Sequence, residues 1–153
     1  MLPVFFGSQG PNPGEGCGRA KGSDPGVEFL AVTNNPAVKE KYPHLNLVRV
    51  EGGVEEVFRR ARDLVHQGYR LLTHPLASSL KPGRIPFKTV VLTAAPEQAV
   101  DLESLELMAA AAEALAKTRP AWALTIPDQV AADYALVDLS IFESALESLR
   151  DAP

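Results

Sequence analysis

Two segments of the chain place hydroxyl, amide and imidazole side chains next to proline, directly after an apolar run. They read T-N-N-P at 33–36 and T-H-P-L-A-S-S-L-K-P at 73–82. Side-chain hydroxyls and amides, with the exposed backbone N–H groups of such turns, are the parts from which an oxyanion or phosphate cradle is built, and a lysine adds a full positive charge. The residues able to contact such a ligand are Thr33, Asn34, Asn35, Thr73, His74, Ser78, Ser79 and Lys81. The alternative is that the asparagines only form tight turns and that a serine caps the helix that follows.

His74 is the one candidate for acid–base catalysis, because an imidazole titrates near neutral pH and this one follows an apolar run directly. No serine, cysteine or carboxylate stands beside it in the sequence as an obvious partner, and Ser78 and Ser79 lack the G-x-S-x-G elbow of a hydrolase nucleophile. Hydrogen bonding within its own loop is therefore the favoured role of His74. The three histidines show no ligand spacing, so no metal site and no cofactor are predicted.

The net charge of −4 is distributed unevenly along the chain. Residues 64–96 contain four basic side chains and no Asp or Glu, whereas residues 97–153 contain three basic and eleven acidic ones. The acid-free stretch indicates a local positive potential that suits a small anion, although buried strands also produce acid-poor stretches. Nucleic acid is an unfavourable partner for this acidic chain, because a duplex binder needs a broad basic stripe.

The length of 153 residues fits one domain, and 46% hydrophobic and 22% charged residues are typical of a globular protein. We expect a flexible Gly- and Pro-rich extension at 1–26 and a single domain at 27–150. No apolar run approaches the roughly 20 residues that span a bilayer, and the short apolar start lacks the basic flank of a secretory signal. We therefore expect a cytoplasmic protein with no membrane partner. Cys17 is the only cysteine, which excludes an internal disulfide.

Apolar runs predict four strands, at 27–33, 45–51, 69–73 and 87–93. Helical spacing predicts helices at 36–42, 53–67, 101–117 and 127–149, the last either continuous or restarted at Ser140 by a capping box with Glu143. Gly68 stands where a left-handed cap would close the second helix.

Alternating strands and helices predict a three-layer α/β fold of the Rossmann-like or flavodoxin-like type, with a mainly parallel four-stranded sheet and helices on both faces. The simplest winding puts the first strand in the centre, with the second and third on either side of it. The ligand crevice of such a sheet lies beyond the carboxyl ends of the strands at the switch point. The two proline turns are then expected to face each other across it.

Three quoted segments carry a family resemblance. They are T-N-N-P with V-K-E-K-Y after the first predicted strand, L-L-T-H-P-L-A-S-S-L-K-P after the third, and P-F-K-T-V-V-L opening the fourth; the closing D-Y-A-L-V-D-L-S-I adds to them. Over roughly residues 27–149 the chain resembles the GrdX-type proteins, which are encoded with the glycine, sarcosine and betaine reductase systems of anaerobic bacteria. Residues 83–85 and the first 26 residues depart from the family pattern, so Arg84 is not assigned to the site.

The resemblance implies a context. Those reductase systems use selenoprotein and thiol chemistry and release acetyl phosphate, and the GrdX-type protein is not one of their catalytic subunits. The resemblance also adds Lys88 to the candidate binding residues. We therefore expect an accessory or regulatory protein that binds a small anion, such as phosphate, an acyl phosphate or a carboxylate, at the carboxyl ends of strands one and three. Two alternatives stay open: a small enzyme using His74 as general acid or base, and a module that docks on a reductase subunit through the T-H-P-L loop or the C-terminal helix.

Overall fold

The computed structural model describes residues 28–77, 82–118 and 126–151. Within these ranges the strands are β1 (Phe29–Thr33), β2 (Leu47–Arg49) and β3 (Thr89–Thr93), and a 3-10 helix covers Pro82–Arg84. The α-helices are α1 (Pro36–Lys41), α2 (Val54–His66), α3 (Leu102–Thr118) and α4 (Asp128–Asp151). The extension predicted at 1–26 lies outside the described residues.

The three strands form one mixed sheet in the order β2-β1-β3. β1 and β2 are parallel, with Ala31 opposite Leu47. β1 and β3 are antiparallel, and Thr33 lies opposite Thr89. The end of β1 and the start of β3 therefore lie side by side at the same edge of the sheet.

The segment predicted as a third strand, 69–73, lies on the outer side of β3. A single antiparallel bridge pairs Leu71 with Leu92, and the Leu72 N–H donates to the Val91 carbonyl at 2.8 Å. This segment runs antiparallel to β3 and hence in the same direction as β1. Its last residues reach the edge of the sheet at which β1 ends.

The fold class expected from the sequence is wrong, because the sheet has three strands rather than four and is mixed rather than mainly parallel. β3 runs antiparallel between β1 and the 69–73 segment, which the expected winding placed beside β1. The physical reason lies in the connection between 69–73 and β3. A parallel neighbour needs a crossover, usually an α-helix, whereas the described part of this connection contains only the short 3-10 helix.

Helices cover both faces of the sheet. Every residue of β1, the central strand, is therefore buried. Leu30 and Val32 pack in one core cluster with the apolar residues of α2 and α3. Phe29 and Ala31 pack in a second cluster with α1 and α4. The alternation of side chains along a strand sends successive residues of β1 to opposite helix layers.

A polar contact joins α1 to α4 on the second face. Glu143 of α4 accepts hydrogen bonds of 2.6 Å from the Lys41 ammonium and the Tyr42 hydroxyl. The hydrogen bond from Lys41, followed by the one from Tyr42, holds the pKa of Glu143 below its usual value. Burial and the bond to Glu143 raise the pKa of Tyr42 to about 12. α4 continues through Ser140, so the alternative of a restart there is wrong.

The two ends of α2 differ. Gly53 is the N-cap of the helix. Its backbone is extended, with φ −95° and ψ −169°, and it provides no side-chain cap. Gly68 follows its last turn with φ 114°, so the predicted left-handed closure is confirmed. Among the described residues no helix combines the length and the apolar character needed to cross a bilayer.

Candidate functional site

The end of β1 carries three polar residues that are almost completely buried: Thr33, Asn34 and Asn35. Asn35 is the N-cap of α1, and its side-chain oxygen accepts from the Ala37 N–H at 2.9 Å. Pro36 occupies the first position of that helix, where its missing N–H costs nothing. The T-N-N-P motif is therefore both the end of a central strand and the start of a helix.

The carboxylate of Asp138, on α4, is the centre of a hydrogen-bond cluster beside this turn. Its Oδ2 accepts from the Thr89 hydroxyl at 2.7 Å and from the Asn35 amide at 2.9 Å, and its Oδ1 accepts from the Thr89 N–H at 3.2 Å. The Thr33 hydroxyl lies 2.8 Å from that of Thr89. Because Thr89 gives its proton to Asp138, Thr33 must be the donor to Thr89. A buried carboxylate is stable here because its lone pairs are satisfied.

Asn34 joins two backbone segments next to the cluster. Its Nδ2 donates to the Gly52 carbonyl at 2.9 Å and to the Pro86 carbonyl at 2.8 Å. Its Oδ1 accepts from the Lys88 N–H at 2.9 Å. One side-chain amide thus fixes the loop before α2 against the residues that lead into β3.

Lys88 is 4% exposed, although lysine is almost never fully buried without a partner. Burial lowers the pKa of its ammonium, and the nearby Asp138 carboxylate opposes this effect. Within the described ranges no hydrogen bond or ion pair reaches this ammonium. Arg60 Nε is the one fully enclosed side-chain nitrogen or oxygen without a partner there. The Lys88 side chain keeps only a small exposed fraction.

The second predicted turn leaves the same edge of the sheet, on the far side of β3. The Thr73 hydroxyl accepts from the Val91 N–H at 3.1 Å. His74 is exposed, and its Nδ1 accepts from the Leu76 N–H at 3.0 Å, which is the local loop role that the sequence favoured. Apart from this bond to the Leu76 backbone, no side-chain hydrogen bond or ion pair joins His74 to another described residue. Catalysis by His74 stays a prediction.

The structure brings four of the predicted residues together, namely Thr33, Asn34, Asn35 and Lys88. Thr73 and His74 lie across β3 from them. Ser78, Ser79 and Lys81 lie outside the described residues, and Arg84 is exposed in the 3-10 helix. The start of β3 thus separates the two turns that were expected to face each other directly.

Sequence reasoning missed Asp138 and Thr89. Asp138 is one of the eleven acidic residues of 97–153, and nothing in the sequence analysis singled it out. It nevertheless lies in the buried stripe of that helix, with Ala135, Phe142 and Leu146. The helical spacing of those three apolar residues is the signal that places Asp138 on the inner face.

Fold and site together define an α/β protein with a small mixed sheet, a buried polar cluster at one sheet edge and a buried lysine beside it. Residues 30–147 match the family described as GrdX-like protein. Because this match covers well over half of the chain, the protein belongs to the GrdX-like family, as the quoted motifs predicted. No curated protein and no solved structure matches the chain.

Proposed function

We propose that this protein is an accessory component of a glycine, sarcosine or betaine reductase system and that it holds a small anion at the sheet edge formed by the end of β1 and the start of β3. The system is the one that the family's name implies. The anion is a phosphate, an acyl phosphate or a carboxylate. Lys88 supplies the positive charge that attracts it.

The observation that carries the proposal is the buried ammonium of Lys88. Taking an ammonium out of water is costly unless it is paired and hydrogen-bonded. Asp138 is the nearby carboxylate, but the bonds it accepts come from Thr89 and Asn35. An anion bound at Lys88 would supply a partner for the ammonium.

The surrounding charge favours the same kind of ligand. Lys88 lies within the acid-free stretch 64–96, and Asp138 is the acidic group whose charge opposes the lowering of its pKa by burial. The Asp138 carboxylate is already held by three donors, which reduces its competition for the ammonium. A small anion can therefore bind beside this carboxylate without leaving it unpaired.

Isothermal titration calorimetry with phosphate, acetyl phosphate, acetate and glycine tests the proposal on the full chain. We expect phosphate or acetyl phosphate to bind the wild type, and Lys88→Met to weaken that binding at least tenfold, because a charge-assisted hydrogen bond is lost. Met fills a volume similar to that of the lysine stem, so the fold is retained.

Lys117→Met is the matched control, since it removes the same charge from an exposed position on α3, where the side chain is 72% exposed and pairs with Glu113. This variant should bind as the wild type does. Absence of binding by the wild type, or an equal loss in both variants, would exclude a site at Lys88.

A further inference from the structure

The side chains that the T-N-N-P motif contributes to the sheet edge are already used within the protein. The Thr33 hydroxyl bonds to Thr89, and the Asn35 amide bonds to Ala135 and Asp138. Both hydrogens of the Asn34 amide are given to backbone carbonyls. These residues build the edge, and a ligand there must find its donors elsewhere.

The N-terminus of α2 offers two such donors. Within the described residues no acceptor bonds to the N–H of Gly53 or of Val54. Glu56, at the position from which a capping box would fold back, is bonded to Arg59 at 2.6 Å instead. A methyl group built on Gly53 would meet no atom within 4 Å, so the Gly53 α-carbon is not crowded by neighbouring residues.

The backbone of Lys88 lies close to the same place. Its backbone N–H and the Gly52 carbonyl bind opposite ends of the one Asn34 amide, so the start of β3 and the start of α2 are adjacent. Continuing the alternation of β3 puts Lys88 on the face of Val90, which packs in the core cluster that contains Val54.

We infer that the ligand is a phosphoryl group, held by the backbone amides of Gly53 and Val54 on one side and by the Lys88 ammonium on the other. This inference rests on the proposed function and specifies its ligand. A helix N-terminus carries a partial positive charge and free N–H groups, which is why phosphate groups bind there. The independent sign of a ligand is the buried Lys88 side chain, whose ammonium has no hydrogen-bond or ion-pair partner among the described residues.

The number and placement of the donors favour phosphate over carboxylate. Donors from α2 and from the start of β3 approach the site from two different elements. A tetrahedral phosphoryl group can direct separate oxygens to each of them, whereas a planar carboxylate has only two oxygens. The two negative charges of a phosphoryl group also match a lysine and a helix N-terminus better than one charge does.

Val54→Pro removes the proposed Val54 donor and keeps the helix. Proline is favoured at the first position of a helix, and the extended backbone of Gly53 is the conformation that a following proline requires. Val54→Ala is the control, because it retains the N–H and removes more of the buried side chain. We expect Val54→Pro to bind inorganic phosphate about tenfold more weakly than Val54→Ala, the effect of one hydrogen bond to a charged group.

A second readout uses the wild type alone. In two-dimensional NMR spectra of the ¹⁵N-labelled full chain, the amide signals of Gly53 and Val54 should move during the phosphate titration, and acetate should move them less.

Equal phosphate affinities of Val54→Pro and Val54→Ala, or unmoved amide signals, would overturn the α2 part of the site. If Lys88→Met still lost phosphate binding in that case, the proposed function would stand. If acetate bound as tightly as phosphate, the phosphoryl assignment alone would be wrong.

Discussion

Adjacent asparagines at the end of β1 have different structural roles. Asn35 caps α1 with its side-chain oxygen and holds α4 with its side-chain nitrogen. Asn34 bridges the loop before α2 and the residue before β3. Neither is a simple turn residue, because each connects elements that are distant in the sequence. The shape of this end of the sheet, where we propose the ligand site, therefore depends on both asparagines.

Replacing Asn35 by Asp should destabilise the protein in a pH-dependent way. The new carboxylate still accepts from the Ala37 N–H, but it stands where the amide nitrogen lies 2.9 Å from Asp138 Oδ2. Two carboxylates so close share a proton, so the pKa of the pair rises above the unfolded value of about 3.9. The folded state then binds more protons, and stability falls as the pH rises through that window. Urea unfolding at pH 5 and pH 7.5 should show the larger deficit at pH 7.5.

The double variant Asn35→Asp with Asp138→Asn is the control, since it restores an amide–carboxylate pair and should recover part of the lost stability. Asn35→Ala should cost about 3 kcal/mol at either pH, because it loses a helix cap and leaves buried acceptors unsatisfied. A deficit of Asn35→Asp that is the same at both pH values would contradict the described geometry around Asp138.

At the scale of elements, the sequence predicted helix positions well and sheet topology badly. The helix at 54–66 lies within the predicted 53–67, and the start of α1 at Pro36 was correct. The period of apolar residues carries that information locally. Strand direction is not encoded in an apolar run, so 89–93 was correctly seen as a strand and incorrectly paired. The absence of a predicted helix between 74 and 86 was the available argument for an antiparallel return.

The candidate site was predictable to the same extent. Polar residues at the end of the central strand were found because their types are unusual after an apolar run. Asp138 was not found, since its contacts with Asn35 and Thr89 join positions that only the folded chain brings together. The amides of Gly53 and Val54, which have no acceptor among the described residues, were also missed, because a glycine at an N-cap does not reveal whether another group caps them.

Gly53 and Gly68 lie at the two ends of α2, and replacing each by alanine tests at which end the fold requires a glycine. A Cβ on Gly68 would lie 2.2 Å from the Glu97 carbonyl oxygen, and its φ of 114° is strained for any L residue. Gly68→Ala should therefore lower the free energy of unfolding by about 3 kcal/mol. Gly53→Ala has open space and an ordinary φ, so it should change stability by less than about 0.5 kcal/mol. Thermal unfolding measures both, and equal effects would show that the Gly68–Glu97 contact is not formed.

At the scale of the whole molecule, burial shifts the pKa values of a lysine and of two tyrosines in opposite directions. Lys88 is a base whose pKa is lowered by burial. Tyr42, on the face of α1 and α4, is an acid whose pKa is raised to about 12, and burial also raises the pKa of Tyr69. The stability of the fold should therefore change in opposite directions on either side of pH 10.

Between the lowered pKa of Lys88 and its unfolded value of about 10.4, the unfolded chain binds more protons, so the wild type becomes more stable as the pH rises. Above about pH 10 the folded state holds the tyrosine protons more tightly, and stability falls again.

Lys88→Met removes the desolvated charge and should be about 1 kcal/mol more stable than the wild type at pH 7 without phosphate. That advantage should decrease as the pH rises through the window between the lowered pKa of Lys88 and its unfolded value of about 10.4, because wild-type Lys88 loses its proton more readily in the folded protein. Urea unfolding at constant ionic strength measures the difference. An advantage that stays constant with pH would mean that the Lys88 ammonium is not buried, whereas Tyr42→Phe should reduce only the loss above pH 10.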